Sequence, residues 1–313
     1  MQQYTTLISV DRLASLLKSN DVHNPLIVFD CRFSLADTEL GRGKYETGHI
    51  PTAIYVHLDQ DLAGDITPHS GRHPLSKVEN FVQRVRAWGL NNHTNNHTQI
   101  VVYDDAGGAI AARLWWMMKW IGHTRVALLD GGYAAWRNSG RPISDQVETS
   151  VKTNRQNVSN EDEKFGAKRN ENSFKNSFIE VDELTELLKS KRINLYDARA
   201  EPRFAGKHEP IDAVAGHIPG AINLPFEHNL DEHGFFLCAD ALKRRFQSVL
   251  NGKGTETEGA QIVHMCGSGV TACHNILAME IAGIAPTRLY VGSWSEWIRD
   301  ADREVAVSAN PES

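Results

Sequence analysis

The chain has 313 residues, about twice the length of a typical domain, so two domains are expected. Its formal net charge of -6 and the absence of any basic block disfavour nucleic acid or an anionic membrane as partners. The sequence has no basic segment leading into an apolar signal core, and its four cysteines are irregularly spaced. Both features lead us to expect a cytoplasmic protein in a reducing compartment.

An internal duplication dominates the sequence. Short segments of the first half recur in the same order in the second half. The matched pairs are 10–13 with 181–184, 26–32 with 193–199, 48–53 with 216–221, 100–104 with 262–266, and 128–132 with 289–293.

The matched segments alternate between short apolar runs and stretches with helical spacing. This alternation predicts an α/β fold in each half, with a parallel sheet flanked by helices on both faces. Asp11 and Asp182 are predicted N-caps of the first helix in each half. We assign residues 1–144 to an N-terminal domain, 145–177 to a polar linker and 178–313 to a C-terminal domain.

The fourth matched pair places Asp104 where the second half has Cys266. Ligands of open parallel sheets bind beyond the carboxyl ends of the strands, and both residues follow a predicted strand. A carboxylate cannot do the chemistry of a thiolate. We therefore expect the N-terminal domain to lack catalysis of its own, with Asp104 capping the following turn.

The loop that follows Cys266 has the composition of an anion-binding site. Gly267 and Gly269 permit backbone torsions closed to other residues, so successive N–H groups can converge on the sulfur. These amides and the start of the next helix favour a thiolate. Ser268 and Thr271 add hydroxyl groups to the same loop.

Residues 266–271 read Cys-Gly-Ser-Gly-Val-Thr, which resembles the active-site loop of the rhodanese-like sulfurtransferases, particularly the 3-mercaptopyruvate type. Gly-His-Ile-Pro-Gly-Ala at 216–221 and Gly-Ser-Trp-Ser-Glu-Trp at 292–297 also resemble rhodanese domains. The resemblance covers nearly the whole chain. It implies two tandem rhodanese-like domains, of which the first has no catalytic cysteine.

The resemblance also implies a reaction. A sulfur atom passes from thiosulfate or 3-mercaptopyruvate to a Cys266 persulfide, and then to cyanide, a thiol or thioredoxin, without a metal or another cofactor. Ser268 and Thr271 are expected to assist at the sulfur. The expected donor-binding groups in the loop are Gly267, Gly269 and Val270.

An anionic sulfur donor also requires cations. By resemblance, Arg203 matches the family's substrate-binding arginine, and Arg199 the arginine of its Asp-x-Arg strand end. Arg32 repeats Arg199 in the first half, so a structural ion pair is an equally good interpretation of Arg199. Arg72 and His73 lie in a proline-stiffened basic loop of the first half and are further candidates.

One departure from the family pattern leaves the donor open. The mercaptopyruvate enzymes carry an arginine after a Glu-Pro pair, whereas this chain has Ile211 there. The thiosulfate type has a basic loop after its cysteine, whereas this loop is neutral. Ile211 therefore argues against 3-mercaptopyruvate as the donor, and the neutral loop argues against thiosulfate.

Three alternative functions remain open from the sequence. A cysteine-based phosphatase would need an arginine where the chain has Ala272. A non-enzymatic rhodanese-like binding module would not need an intact cysteine loop. A redox sensor would pair Cys266 with Cys273. His49 and His217 are repeated in both halves, which favours a structural role in a turn.

Overall fold

The computed structural model describes residues 3–19, 24–90, 97–150, 176–250 and 260–308. The described residues form two compact units, one drawn from 1–64, 76–174 and 233–235 and the other from 65–75, 175–232 and 236–313. Most of the predicted linker, 151–175, lies outside the described residues. No helix in the described ranges is long and apolar enough to span a bilayer.

The first unit alternates strands and helices along the chain. Its strands are β1 Leu7–Ile8, β2 Leu26–Asp30, β3 Ile54–Tyr55, β4 Gln99–Tyr103 and β5 Val126–Leu129. Its helices are α1 Val10–Ser19, α2 Leu40–Thr47, α3 Leu58–Asp61, α4 Val78–Ala87, α5 Ala111–Trp120 and α6 Gly132–Asn138.

The second unit repeats the pattern. Its strands are β6 Phe178–Ile179, β7 Ile193–Asp197, β8 Ile222–Asn223, β9 Gln261–Met265 and β10 Arg288–Tyr290. Its α-helices are α7 Val181–Lys189, α8 Glu201–Phe204, α9 Ala239–Leu250, α10 Ala272–Ile281 and α11 Ser293–Trp297, and a 3-10 helix spans Phe226–Asn229.

Both sheets have the same strand order, β1-β5-β4-β2-β3 and β6-β10-β9-β7-β8. Every pair of neighbouring strands is parallel. The predicted α/β fold with flanking helices is confirmed, and the continuous apolar runs suit strands covered on both faces. Parallel pairing also brings the carboxyl ends of β7 and β9 together, with Asp197 opposite Met265.

Each unit has its own hydrophobic core. Helix α1 buries Leu13 against Trp136 and the strands of the first sheet, and α7 buries Leu184 in the second core with Trp294. The predicted N-caps are wrong, because α1 and α7 begin at Val10 and Val181. Asp11 and Asp182 instead lie in the first turns, where a carboxylate still complements the helix N-terminus.

The repeated histidines fix a turn in each unit. His49 pairs with Ser144 through an antiparallel bridge, and His217 pairs with Ala306 in the same way. The Nδ1 atom of His49 lies 2.7 Å from the Tyr45 carbonyl oxygen. These contacts agree with the predicted structural role.

Candidate active site

Cys266 follows β9 directly and is 2% exposed. Its N–H donates to Ser293 Oγ at 3.1 Å, and its carbonyl accepts from the Trp294 N–H at 3.0 Å. The Gly267 carbonyl accepts from the Ser295 N–H at 2.9 Å. The base of the cysteine loop is therefore held by the segment that follows β10.

Ser293 adopts a left-handed conformation with φ 54°, which costs a residue with a Cβ about 1 kcal/mol or more. The matched residue in the first unit is Gly132, with φ 57°. A serine at this position supplies a hydroxyl that glycine lacks, and this hydroxyl binds the Cys266 N–H. The strained backbone of Ser293 thus places its hydroxyl group where it accepts a hydrogen bond from the Cys266 N–H.

The two glycines of the loop serve different purposes. Gly269 has φ 78°, as predicted from its position. Gly267 does not adopt a left-handed conformation, so the torsional argument for it is wrong. A Cβ at Gly267 would lie 3.1 Å from Arg72 Nη2 and 3.5 Å from Arg203 Nη2. A side chain at this position would crowd the Arg72 guanidinium group, which approaches the backbone closely.

Ser268 makes the other important contact of the loop. Its Oγ lies 2.7 Å from Nδ1 of His73, and both residues are buried, at 5% and 4% exposure. Val270 is also buried, and Thr271 directly precedes α10 without a side-chain capping bond to it. The segment Asp65–Leu75, which carries His73, belongs to the second unit.

Arg72 and Arg203 are joined by a carboxylate. Asp212 Oδ1 accepts from Arg72 Nη1, and its Oδ2 accepts from Arg203 Nη2 at 3.1 Å. The Arg72 N–H donates to Ser295 Oγ at 3.0 Å, which anchors the segment. Since the guanidinium groups of both arginines reach Gly267, the candidate cations Arg72 and Arg203 meet at the cysteine loop.

Glu209 orders the loop that carries Asp212. Its Oε1 accepts from Arg203 Nε and Nη2 and from the N–H groups of Ile211 and Asp212. Burial opposes ionisation of Glu209, but the hydrogen bonds from Arg203 and from the backbone outweigh it and hold its pKa below the usual value. Ile211, which stands where the mercaptopyruvate type is expected to carry an arginine, is exposed.

Arg199 is engaged in a buried ion pair. Its Nη2 lies 2.6 Å from Asp197 Oδ2 and 2.8 Å from the Gly216 carbonyl oxygen. Arg32 repeats both contacts, at 2.6 Å to Asp30 and 2.8 Å to a carbonyl oxygen. Arg199 thus keeps the contacts of its counterpart in the first unit and adds one, an ion pair of 3.4 Å between its Nη1 and Glu209 Oε2.

Asp104 occupies the position equivalent to Cys266 and is surrounded by amides. Its carboxylate accepts four backbone hydrogen bonds of 2.8 to 2.9 Å, from Ala106, Gly108, Ile110 and Ala111. Burial raises the pKa of Asp104, although these four bonds favour the charged form. The predicted capping role is confirmed, and the contacts show that this loop directs four N–H groups at one carboxyl group.

Sequence reasoning missed four residues of the site. Asp212 and Glu209 position the arginines, and Ser293 and Ser295 hold the cysteine loop and Arg72. The signal for Asp212 was weak, since it lies four residues before the repeated Gly-His-Ile-Pro segment, where the first half has Lys44.

The chain thus consists of two copies of a parallel α/β fold, and the second copy carries a buried cysteine at a strand end, in a loop that two arginines approach. The family model for the rhodanese-like domain matches residues 9–139 and 180–300. The chain belongs to the rhodanese family.

Related proteins carry names for two sulfur donors. A probable 3-mercaptopyruvate sulfurtransferase from Pseudomonas aeruginosa is 40% identical over 96% of this chain and 97% of its own length. A thiosulfate sulfurtransferase from Rattus norvegicus is 32% identical over 97% of this chain and 96% of its own. The crystal structure of Tum1 from Saccharomyces cerevisiae has a TM-score of 0.76 at 26% identity and covers 98% of this chain and 99% of its own.

Proposed function

We propose that the protein is a sulfurtransferase of the cytoplasm. It moves a sulfur atom from 3-mercaptopyruvate or thiosulfate through a Cys266 persulfide to a thiol, cyanide or thioredoxin. The observation that carries the proposal is the approach of Arg72 and Arg203 to Gly267, which places two cations beside a buried cysteine. An anionic sulfur donor suits this combination of nucleophile and cations.

With thiosulfate, the Cys266 thiolate attacks the outer sulfur. The S–S bond of the donor breaks, and its electron pair leaves with sulfite. The product is a persulfide anion on Cys266, and no proton is consumed. Arg72 and Arg203 hold the sulfonate oxygens and stabilise the charge on the departing sulfite.

With 3-mercaptopyruvate, the same thiolate attacks the thiol sulfur. The carbon–sulfur bond breaks, its electron pair leaves with the enolate of pyruvate, and the thiol proton of the donor must reach the enolate carbon to give pyruvate and a persulfide anion. The Ser268 hydroxyl lies 2.7 Å from the His73 ring and can deliver that proton. Thr271 is the second hydroxyl of the loop and would bind the persulfide.

The first unit supports a role for the loop amides. Four N–H groups there bind the Asp104 carboxylate. The repeat matches the first three of them to the N–H groups of Ser268, Val270 and Ala272. In the second unit these amides would bind the terminal sulfur of the persulfide, until an acceptor nucleophile attacks it and restores the thiolate.

The test is intact-mass spectrometry after incubation with each donor, followed by an acceptor. We expect the mass to increase by one sulfur atom and to return to its original value when cyanide or a thiol is added. Cys266→Ser should abolish the gain, whereas Cys273→Ser is a matched control that should keep it. Absence of the gain with both donors would refute the proposal.

A redox sensor would give a different result. Mild oxidant would then remove two hydrogen atoms through a disulfide between Cys266 and Cys273, with no sulfur gain from either donor. Both thiols are buried, and Cys273 Sγ donates to the Gly269 carbonyl at 3.4 Å.

A further inference from the structure

We propose that Asp212 makes the site favour a singly charged sulfur donor over a doubly charged one. This inference rests on the sulfurtransferase function proposed above and concerns the choice between its two donor classes. It follows from the position of one buried carboxylate between the two arginines that face the cysteine loop.

Asp212 contacts both arginines that reach the cysteine loop. One of its oxygens binds Arg72 and the other binds Arg203, and its side chain is only 3% exposed. A donor held by Arg72 and Arg203 must therefore lie close to a carboxylate that water screens poorly. Repulsion between like charges is stronger in such an environment than at a surface.

The charges of the surrounding cluster balance before a donor arrives. Three arginines and three carboxylates form a continuous set of ion pairs in the described part of the second unit, namely Arg72, Arg199, Arg203, Asp197, Glu209 and Asp212. The donor meets cations that are already neutralised. Any donor then adds uncompensated negative charge, and a second negative charge adds more.

The two donor classes differ in this respect. At neutral pH thiosulfate carries two negative charges, whereas 3-mercaptopyruvate carries one on its carboxylate and keeps a neutral thiol. Repulsion from Asp212 acts on each donor charge, so it penalises thiosulfate about twice as strongly. Asp212 thereby shifts the preference of the site toward the carboxylate donor.

The first unit indicates that the fold does not require a negative charge at this position. Counting from the repeated Gly-His-Ile-Pro segments places Lys44 at the position of Asp212. Lys44 pairs with Asp105 at 2.6 Å, and Asp105 matches Gly267 of the cysteine loop. Lys44 lies in helix α2 whereas Asp212 lies in a loop, so the buried carboxylate at 212 is a feature of the unit with the cysteine.

The experiment compares kcat/KM for thiosulfate with kcat/KM for 3-mercaptopyruvate near pH 7.5, using cyanide as the acceptor. For Asp212→Asn the ratio of thiosulfate to 3-mercaptopyruvate should rise about tenfold. Asp105→Asn is the control. It removes a paired carboxylate from the first unit, which has no cysteine at the matching position, and should leave the ratio unchanged. An Asp212→Asn ratio equal to that of the wild type would overturn the inference.

A second variant changes the charge of the site in the opposite direction. Arg72→Gln removes a positive charge from the same ion pair, so it should lower the ratio of thiosulfate to 3-mercaptopyruvate. A purely structural role of the Asp212 pairs predicts equal losses with both donors in both variants, and that result would also overturn the inference. A wild-type protein that transfers sulfur from neither donor would instead refute the proposed function itself.

Discussion

The Nδ1 atom of His73 lies 2.7 Å from Oγ of Ser268, and both side chains are buried beside the cysteine loop. His73 precedes Ser268 by almost two hundred residues, yet its segment Asp65–Leu75 packs within the same unit. A histidine and a hydroxyl at this distance can pass a proton. Of the two donor reactions, only that of 3-mercaptopyruvate requires a proton to move between groups in the site.

We therefore predict that His73→Asn separates the two donors. The kcat with 3-mercaptopyruvate should fall about 100-fold, because the thiol proton loses its route to the enolate. The kcat with thiosulfate should change by less than about threefold, because sulfite leaves without a proton. Steady-state kinetics with both donors and a common acceptor measures this difference.

Ser268→Ala should give the same pattern as His73→Asn, since it removes the other member of the pair. His69→Asn is the matched control, because His69 lies on the same segment but is exposed. Equal losses with both donors in His73→Asn would show that His73 only supports the loop.

Asp104 offers a test of the amide loop in the first unit. Asp104→Asn replaces one acceptor oxygen by a donor, so two of the four N–H groups would face an amide nitrogen. Leaving buried donors unpaired costs about 1 to 3 kcal/mol each, and we expect a loss of about 3 kcal/mol in the free energy of unfolding. Urea denaturation measures it.

The neighbouring Asp105→Asn provides the comparison, because Asp105 makes a partly exposed ion pair with Lys44. Surface pairs of this type contribute about 0 to 1 kcal/mol. A loss in Asp104→Asn no larger than in Asp105→Asn would contradict the role assigned to the four amides.

The fold could be predicted from the sequence because it depends on a local pattern that occurs twice. Apolar runs at 26–30 and 193–197 predict strands, and their repetition predicts two sheets with one topology. The position of Cys266 after β9 follows from the same pattern, since the end of an apolar run is visible in the sequence.

The contacts of the site could not be predicted in the same way. Asp212, Arg72 and Ser295 are far apart in sequence and meet only through tertiary packing. No periodicity indicates that Arg72 will lie beside Gly267. Helix ends are also poorly determined by composition, so the starts of α1 and α7 were misplaced by one or two residues.

The two strand-end arginines provide a paired test of structural against substrate-binding roles. Arg199→Gln and Arg32→Gln each leave a buried aspartate without its cation, Asp197 or Asp30. Removing one partner of a buried ion pair costs about 3 to 5 kcal/mol, so both variants should lose stability by similar amounts. Chemical denaturation of both variants measures this.

Donor kinetics then distinguishes the two roles. If Arg199 acts only through its ion pairs with Asp197 and Glu209, the KM for either donor in folded Arg199→Gln should match that of Arg32→Gln. A KM that rises about tenfold in Arg199→Gln alone would assign Arg199 to donor binding.

His264 should make the protein less stable in acid. Burial lowers the pKa of His264 to about 3, with a smaller contribution from the charge of Arg245. Its Nδ1 has no hydrogen-bond partner among the described residues, and its Nε2 lies 3.3 Å from Met279 Sδ. A histidine in an unfolded chain has a pKa of about 6.5, so the unfolded state binds a proton that the folded state rejects.

The stabilising contribution of neutral His264 to the free energy of unfolding is therefore fully present above a pH of about 6.5, and it is lost as the pH falls toward 3. Between pH 6.5 and 5 the loss should be about 2 kcal/mol. His264→Gln cannot take up that proton and should flatten this part of the pH profile of the free energy of unfolding. The difference between wild type and variant in urea denaturation at pH 5, 6 and 7 isolates His264 from the other histidines, with exposed His69→Gln as the control. Parallel pH profiles for wild type and His264→Gln would show that His264 is protonated in the folded protein.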